Sequence, residues 1–216
     1  MIKLSFLINF TMNYLKVTLI ISLFFYGSAV EFQYWKMAQT WPSGFCAHKA
    51  CDATKTIPFK FTIHGLWPSN YSIPQPSLCS STGLNISLIS GIVHELDQDW
   101  PNYLWNNNYF WNSEWMKHGT CSNMLPFDYF RLTLDIYARN DLQQILEHAN
   151  ILPGSTYLTS QIIATIKTSP IGVEPQVSCR SKDLVEIRLC LNKSPIPHYI
   201  NCPKPRLNCP NKVNFL

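Results

Sequence analysis

Eight cysteines constrain this chain more than any other feature. They stand at Cys46, Cys51, Cys79, Cys121, Cys179, Cys190, Cys202 and Cys209, all behind an apolar leader. An even set in a secreted chain implies up to four disulfides, and spacing alone leaves on the order of a hundred connectivities open. Zinc is the rival reading, but no C-x-x-C pair exists to support it. The leader itself runs from Val17 to Tyr26, preceded by Lys16 and followed by Gly27-Ser28-Ala29, the pattern of a secretory signal and its small-residue cleavage site. A membrane span needs roughly 20 apolar residues, so this run is too short to anchor the chain. Met12 offers a second possible start, with a compact charged region at Met12 to Lys16. The expectation is a signal peptide over 1–29 and one extracellular domain over 30–216, with no membrane anchor in the mature form.

The 216 residues are 46% hydrophobic and 14% charged, enough for one full core, and no second composition regime appears along the chain. Removing Lys3 and Lys16 with the leader lowers the formal charge from +4 to +2. A mildly basic surface suits a polyanionic partner without demonstrating one. Sequons at Asn70, Asn85 and Asn192 mark candidate glycosylation sites, the last weakened by Pro195.

Hydrophobic alternation predicts a strand from Phe32 to Pro42 and another from Phe59 to His64. In the second, Phe59, Phe61 and Ile63 share one side while Lys60, Thr62 and His64 share the other, and Gly65 to Asn70 ends it. Helical spacing through Leu88, Ile92, Leu96 and Trp100 predicts a helix stopped by Pro101. Further helices are expected over Pro126–Ala138, Leu142–His148 and Thr159–Lys167, the last capped by Thr159, and a strand over Leu184–Leu191. Strands at both ends with helices grouped between them argue for an α+β fold.

The stretch Phe110 to Cys121 reads as a helix ending at Gly119, with Trp111, Glu114, Trp115 and His118 on one face and Lys117 at its flank. A plain core would not choose a carboxylate and an imidazole there, because unpaired buried charge is costly. His48, His94, His148 and His198 invite ordinary surface or packing readings. His64 and His118 differ, since each ends a regular element beside Gly and near tryptophans. Two imidazoles can serve as base and acid for RNA cleavage, where the 2′-hydroxyl loses a proton as it attacks phosphorus and the 5′-oxygen gains one as it leaves. The nucleophile belongs to the substrate, so neither metal nor cofactor is required. Lys117 and Glu114 would stabilise the charged phosphorus centre, and Trp67 is the first candidate for stacking on a base.

Phe61-Thr62-Ile63-His64-Gly65-Leu66-Trp67-Pro68 and Glu114-Trp115-Met116-Lys117-His118-Gly119-Thr120-Cys121 closely resemble the two active-site segments of the ribonuclease T2 family. The Trp41-Pro42 turn, the cysteine series and the Leu184 to Cys190 strand also fit. The resemblance implies a central antiparallel sheet flanked by helices and stapled by disulfides. By position it makes His118 the general base, His64 the general acid, and Glu114 and Lys117 the stabilisers, with 2′,3′-cyclic phosphates as products that are slowly hydrolysed. It further implies the pairs Cys46–Cys51, Cys79–Cys121, Cys179–Cys209 and Cys190–Cys202. The implied substrate is single-stranded RNA and the implied form a monomer.

Two departures stand out. Ser113 occupies the place where many members carry a third, phosphate-binding histidine, and Thr40 the place of a Gln before the Trp-Pro turn, which bears on base preference. With the eight cysteines and basic balance, both variants resemble the style-expressed self-incompatibility ribonucleases of flowering plants. The segment Ser69 to Asn85 falls where those proteins carry their variable recognition region, which would face a pollen-side protein partner. Two other classes compete: a catalytically silent binding or storage protein on the same scaffold, and a metal-dependent hydrolase built on Glu114, His118 and His64.

Overall fold

The computed structural model describes residues 31–204 and 206–216; the signal-peptide assignment falls outside them. The core of the molecule is an eight-stranded sheet in which β2 (Thr62–Ser69), β1 (Tyr34–Thr40), β5 (Asp183–Leu191), β4 (Gln176–Arg180) and β7 (Arg206–Leu207) lie side by side. β6 (Tyr199–Ile200) and β8 (Lys212–Phe215) also pair with β5, and β3 (Ser155–Leu158) pairs with β8. The long pairings are antiparallel; only the short β4–β7 and β5–β8 contacts are parallel. The fold is α+β, as the resemblance implied.

Period-two alternation gives the sheet two unlike faces. Trp35, Met37, Leu66, Ile187 and Leu189 are buried in the core beneath the helices. Lys36, Trp67, Arg188, Glu186 and Gln176 line the opposite, polar face, their places fixed by the register Lys36↔Trp67, Ala38↔Arg188, Thr40↔Glu186 and Gln176↔Arg188. Sequence periodicity predicts β1, β2 and β5 but not the other five strands, and it cannot say which strands become neighbours.

The helices are α1 (Pro42–Cys46), α2 (Val93–Asp99), α3 (Asn107–Lys117), α4 (Pro126–Tyr137), α5 (Leu142–His148) and α6 (Thr159–Thr168). α4 and α5 match the expected spans closely. The helix expected from Leu88 is instead a 3₁₀ segment, Ile86–Ile92, followed by α2. Asn85 accepts the Ser87 N–H and opens the tighter turn, and the buried row becomes Ile89, Ile92, Leu96 and Trp100, with Leu88 turned outward. Thr159 is the first residue inside α6 rather than its cap; its hydroxyl donates to the Pro210 carbonyl, while Gln161 accepts the Leu158 N–H.

β2 differs most from expectation. It starts at Thr62, leaves Phe59 64% exposed, and continues through Gly65-Leu66-Trp67-Pro68 instead of stopping at His64. Against β1 the register runs Ala38↔Gly65 and then Gln39↔Ile63, so His64 is the extra residue of a β-bulge. Pro68 is tolerated because β2 is an edge strand. The carbonyls along this edge are taken up by the helical layer: Trp100 Nε1 donates to His64 at 2.8 Å, Tyr129 Oη to Leu66 at 2.7 Å and Tyr137 Oη to Phe61 at 2.7 Å.

All eight cysteines are bonded, in the four pairs that the resemblance implied: Cys46–Cys51, Cys79–Cys121, Cys179–Cys209 and Cys190–Cys202. The Ser69 to Asn85 segment is less polar at its surface than its composition suggests, with Tyr71, Ile73 and Leu78 exposed. Among the described residues no helix is long and apolar enough to cross a membrane.

Candidate active site

α3 opens on Asn106, whose side chain accepts the Asn108 N–H, and its last helical residue is Lys117. Trp111, Glu114 and Trp115 are buried and His118 is half-buried, so the predicted face exists. Gly119 does not stop the helix in a left-handed turn; a short 3₁₀ turn follows His118 instead. Its value is space, because a Cβ there would sit 2.2 Å from the Trp115 ring. The indoles of Trp111 and Trp115 donate to the Trp100 and Thr82 carbonyls, which fixes α3 against its surroundings.

His64 projects from the β2 bulge with its side chain 35% exposed. Its Nδ1 lies 2.5 Å from Glu186 Oε2, and the second oxygen of Glu186 accepts from Arg188 Nε. Arg188 also donates to Gln176 Oε1 at 3.0 Å and lies over the Trp67 ring, 4.9 Å from its centroid. Trp67 Nε1 donates to Glu114 Oε2 at 2.9 Å. The Trp67 ring centroid is 5.1 Å from each imidazole, His64 edge-on and His118 tilted by 31°. The two histidines therefore flank one indole. Gly65 allows this closeness: a Cβ there would stand 2.3 Å from Glu114 Oε2 and 2.4 Å from Trp67 Nε1.

The electrostatics set the two imidazoles apart. Burial disfavours a charge on His64, but the adjacent Glu186 carboxylate outweighs it and raises the imidazole above its usual range. Burial resists ionisation of Glu186 too, yet His64 and Arg188 hold it below the ordinary carboxylate value. Glu114 is pushed up, first by burial, with His64 and the Trp67 bond opposing. His118 is driven down to about 3 by burial and by the positive charges of His64, Lys117 and Lys36. Its Nδ1 is buried without a hydrogen-bond partner. An imidazole held neutral can take a proton, and one held charged can give one.

A cleft of about 410 Å³ opens beside His64, and Thr40, Lys49, Tyr103, Trp105, Tyr109, Phe110, Ser113, Glu114 and Lys117 are among the residues lining it. His118 and Trp67 are not on its wall. Thr40 ends β1, is 8% exposed and meets His64 there. Trp105 and Tyr109, both more than half exposed, are aromatic rings on this wall that motif reading passed over. Glu186 and Arg188 were missed as well. Both lie in a predicted strand, but only strand order brings them to His64. All three sequon side chains make local hydrogen bonds, but Asn85 is exposed while Asn70 and Asn192 are half-buried. Among the described residues no group of three or more His, Cys, Asp or Glu side chains could hold a metal ion.

A disulfide-stapled α+β sheet with two histidines flanking one indole beside a cleft defines a ribonuclease class. The Ribonuclease T2 family profile matches residues 32–202. Ribonuclease DdI of Dictyostelium discoideum is 32% identical over 192 residues, 86% of this chain and 85% of that protein. Ribonuclease S-4 of Pyrus pyrifolia is 30% identical over 223 residues, covering 95% and 97%. The crystal structure of the gametophytic self-incompatibility associated SF11-RNase of Nicotiana alata superposes with a TM-score of 0.76 at 28% identity, covering 86% of this chain and 99% of that one. The chain belongs to the ribonuclease T2 family and is a T2-type endoribonuclease.

Proposed function

We propose that this is a secreted, metal-independent endoribonuclease that cleaves single-stranded RNA by acid–base transphosphorylation through 2′,3′-cyclic phosphates. The observation that carries this reading is the pair of imidazoles around Trp67, one held neutral and one held charged. His118 Nε2 takes the proton of the 2′-hydroxyl, and His64, held by Glu186, gives one to the departing 5′-oxygen. Burial is the first cause of the neutrality of His118; the positive charges of His64, Lys117 and Lys36 add to it, and a bound phosphate offsets that second part, which raises the basicity of the imidazole as the proton must move. Lys117 and Glu114 meet the developing charge on phosphorus, Thr40 borders the base, and Trp67, packed beneath Arg188 and between the imidazoles, holds them in place. His64→Ala and His118→Ala should each lower kcat by about 10²–10⁴-fold on RNA, with DNA uncut and EDTA without effect. Full activity in both variants, or loss of turnover on chelation, would overturn the reading. A silent binding or storage role conflicts with the intact His64, Glu114, Lys117 and His118.

For its biological role, we propose the style-side factor of gametophytic self-incompatibility. Ser113, Thr40, the eight cysteines and the likeness to SF11-RNase support it, and the exposed Tyr71, Ile73 and Leu78 would face a pollen-side protein. Secretion of a glycosylated monomer, with Asn85 the best-placed sequon, belongs to the same reading. The 32% identity to the Dictyostelium enzyme equally suits a general ribonuclease of phosphate recovery or defence. A transcript confined to the style supports the first role, and induction in phosphate-starved leaves or roots supports the second.

A further inference from the structure

A second, smaller cavity of about 210 Å³ adjoins the catalytic cleft, sharing Thr40, Phe45 and His64 with it and lined further by Ser178, Arg180, Glu186 and Arg188. Register explains its chemistry. Gln176 and Ser178 on β4 stand opposite Arg188 and Glu186 on β5; past a register shift at Ser178, Arg180 stands opposite Asp183, whose carboxylate is taken up by His48 and Asn214. Glu186 is the one carboxylate on this wall, and His64 and Arg188 already engage it. Arg180 is exposed and has no carboxylate partner among the described residues. Arg188 spends two bonds on Glu186 and Gln176, which leaves the other N–H groups of its guanidinium without a partner among the described residues. The cavity thus presents two guanidinium groups beside a carboxylate that is already neutralised. Planar guanidinium forks suit phosphate oxygens.

We propose that this cavity is a subsite for a phosphate of the RNA strand one nucleotide away from the scissile bond, with Arg180 as its principal contact. The inference rests on the ribonuclease reading above. A strand whose reacting phosphate lies at His64 can extend its flanking backbone past Thr40 into the second cavity. The subsite would then select polynucleotide over dinucleotide, since a dinucleoside monophosphate carries no second phosphate to place there. Arg180 touches no reacting atom, so it governs capture of the strand and leaves the chemical step alone.

The test compares Arg180→Gln with the unaltered protein on a dinucleoside monophosphate and on a single-stranded hexanucleotide. For the hexanucleotide, kcat/KM should fall by about 5–10-fold through KM, in keeping with the loss of one charge-assisted phosphate contact. For the dinucleoside monophosphate it should stay within about twofold. The slope of log kcat/KM against log salt should become shallower by about 0.7, as expected when one phosphate contact to a single strand is lost. Arg180→Lys should recover most of the loss and Arg180→Glu deepen it. Equal losses on both substrates, or an unchanged hexanucleotide, would overturn the subsite while leaving the ribonuclease reading intact. An unaltered protein that cut neither substrate would overturn that reading instead.

Discussion

His64 and His118 are the same residue type in opposite environments. Glu186 makes His64 easy to charge, whereas burial, and after it the positive charges of His64, Lys117 and Lys36, keep His118 uncharged with its Nδ1 unpartnered. Replacing Glu186 with Gln removes the charge and keeps the shape. If His64 is the proposed acid, the activity of the unaltered enzyme should fall as pH rises through its raised value. In Glu186→Gln that alkaline limb should move to lower pH, with kcat reduced more than KM is changed. An alkaline limb that stays in place would mean that Glu186 does not act through His64. Gly65 makes a separate prediction. Gly65→Ala forces apart the Glu114 and Trp67 side chains, which should cost about 1–3 kcal/mol of stability by the usual scale of overpacking and lower kcat. Chemical denaturation and steady-state rates check both halves.

Elements decide which residues meet. The disulfide between Cys79 and Cys121 joins the turn after α3 to the segment after β2, closing a sequence separation of 42 residues. Loop-closure entropy alone assigns such a bond about 4 kcal/mol. A double Cys79→Ala/Cys121→Ala variant should therefore unfold at clearly lower denaturant, and its kcat should fall if the staple holds α3 against β2. Unchanged kcat in the folded variant would limit the staple to stability. The longer elements were legible from periodicity: α4, α5 and β5 matched within a residue or two, because their apolar spacing is regular and packing agrees with it, whereas α1, β3, β4 and the short β6, β7 and β8 span too few residues to show a period. The β2 bulge was not, since a bulge depends on the register of a partner strand. The 3₁₀ segment before α2 escaped too, because an Asn cap and a 3.6-residue spacing point different ways.

At the scale of the whole molecule, the site is assembled across the sheet. Motif spelling supplied His64, Glu114, Lys117 and His118, each carried by one of two short segments. It could not supply Glu186, 122 residues from His64, because their contact exists only once β1 lies between β2 and β5. The same assembly links folding to pH. An unfolded His118 takes up a proton near its ordinary value, whereas the folded one resists until about pH 3. Its depressed value therefore removes stability as pH falls from about 6.5 towards 3. The raised His64 acts the other way: its contribution is complete below about 6.5 and fades as pH rises through the folded value. In His118→Gln the drop in Tm between pH 7 and pH 5 should be smaller than in the unaltered protein. An identical drop would count against a proton-resistant His118.

The strand that bears His64 is also the rim of the sheet, the place where a second polypeptide would otherwise add on. Trp100, Tyr129 and Tyr137 occupy its carbonyls and Pro68 withholds an N–H. A bulge further breaks the regular ladder a visiting strand would need. The same backbone kink that places the His64 imidazole on the cleft wall thus guards the protein against self-association at high concentration, and a Tyr129→Phe/Tyr137→Phe variant, with two carbonyls uncovered, is the form in which fibril growth should first appear.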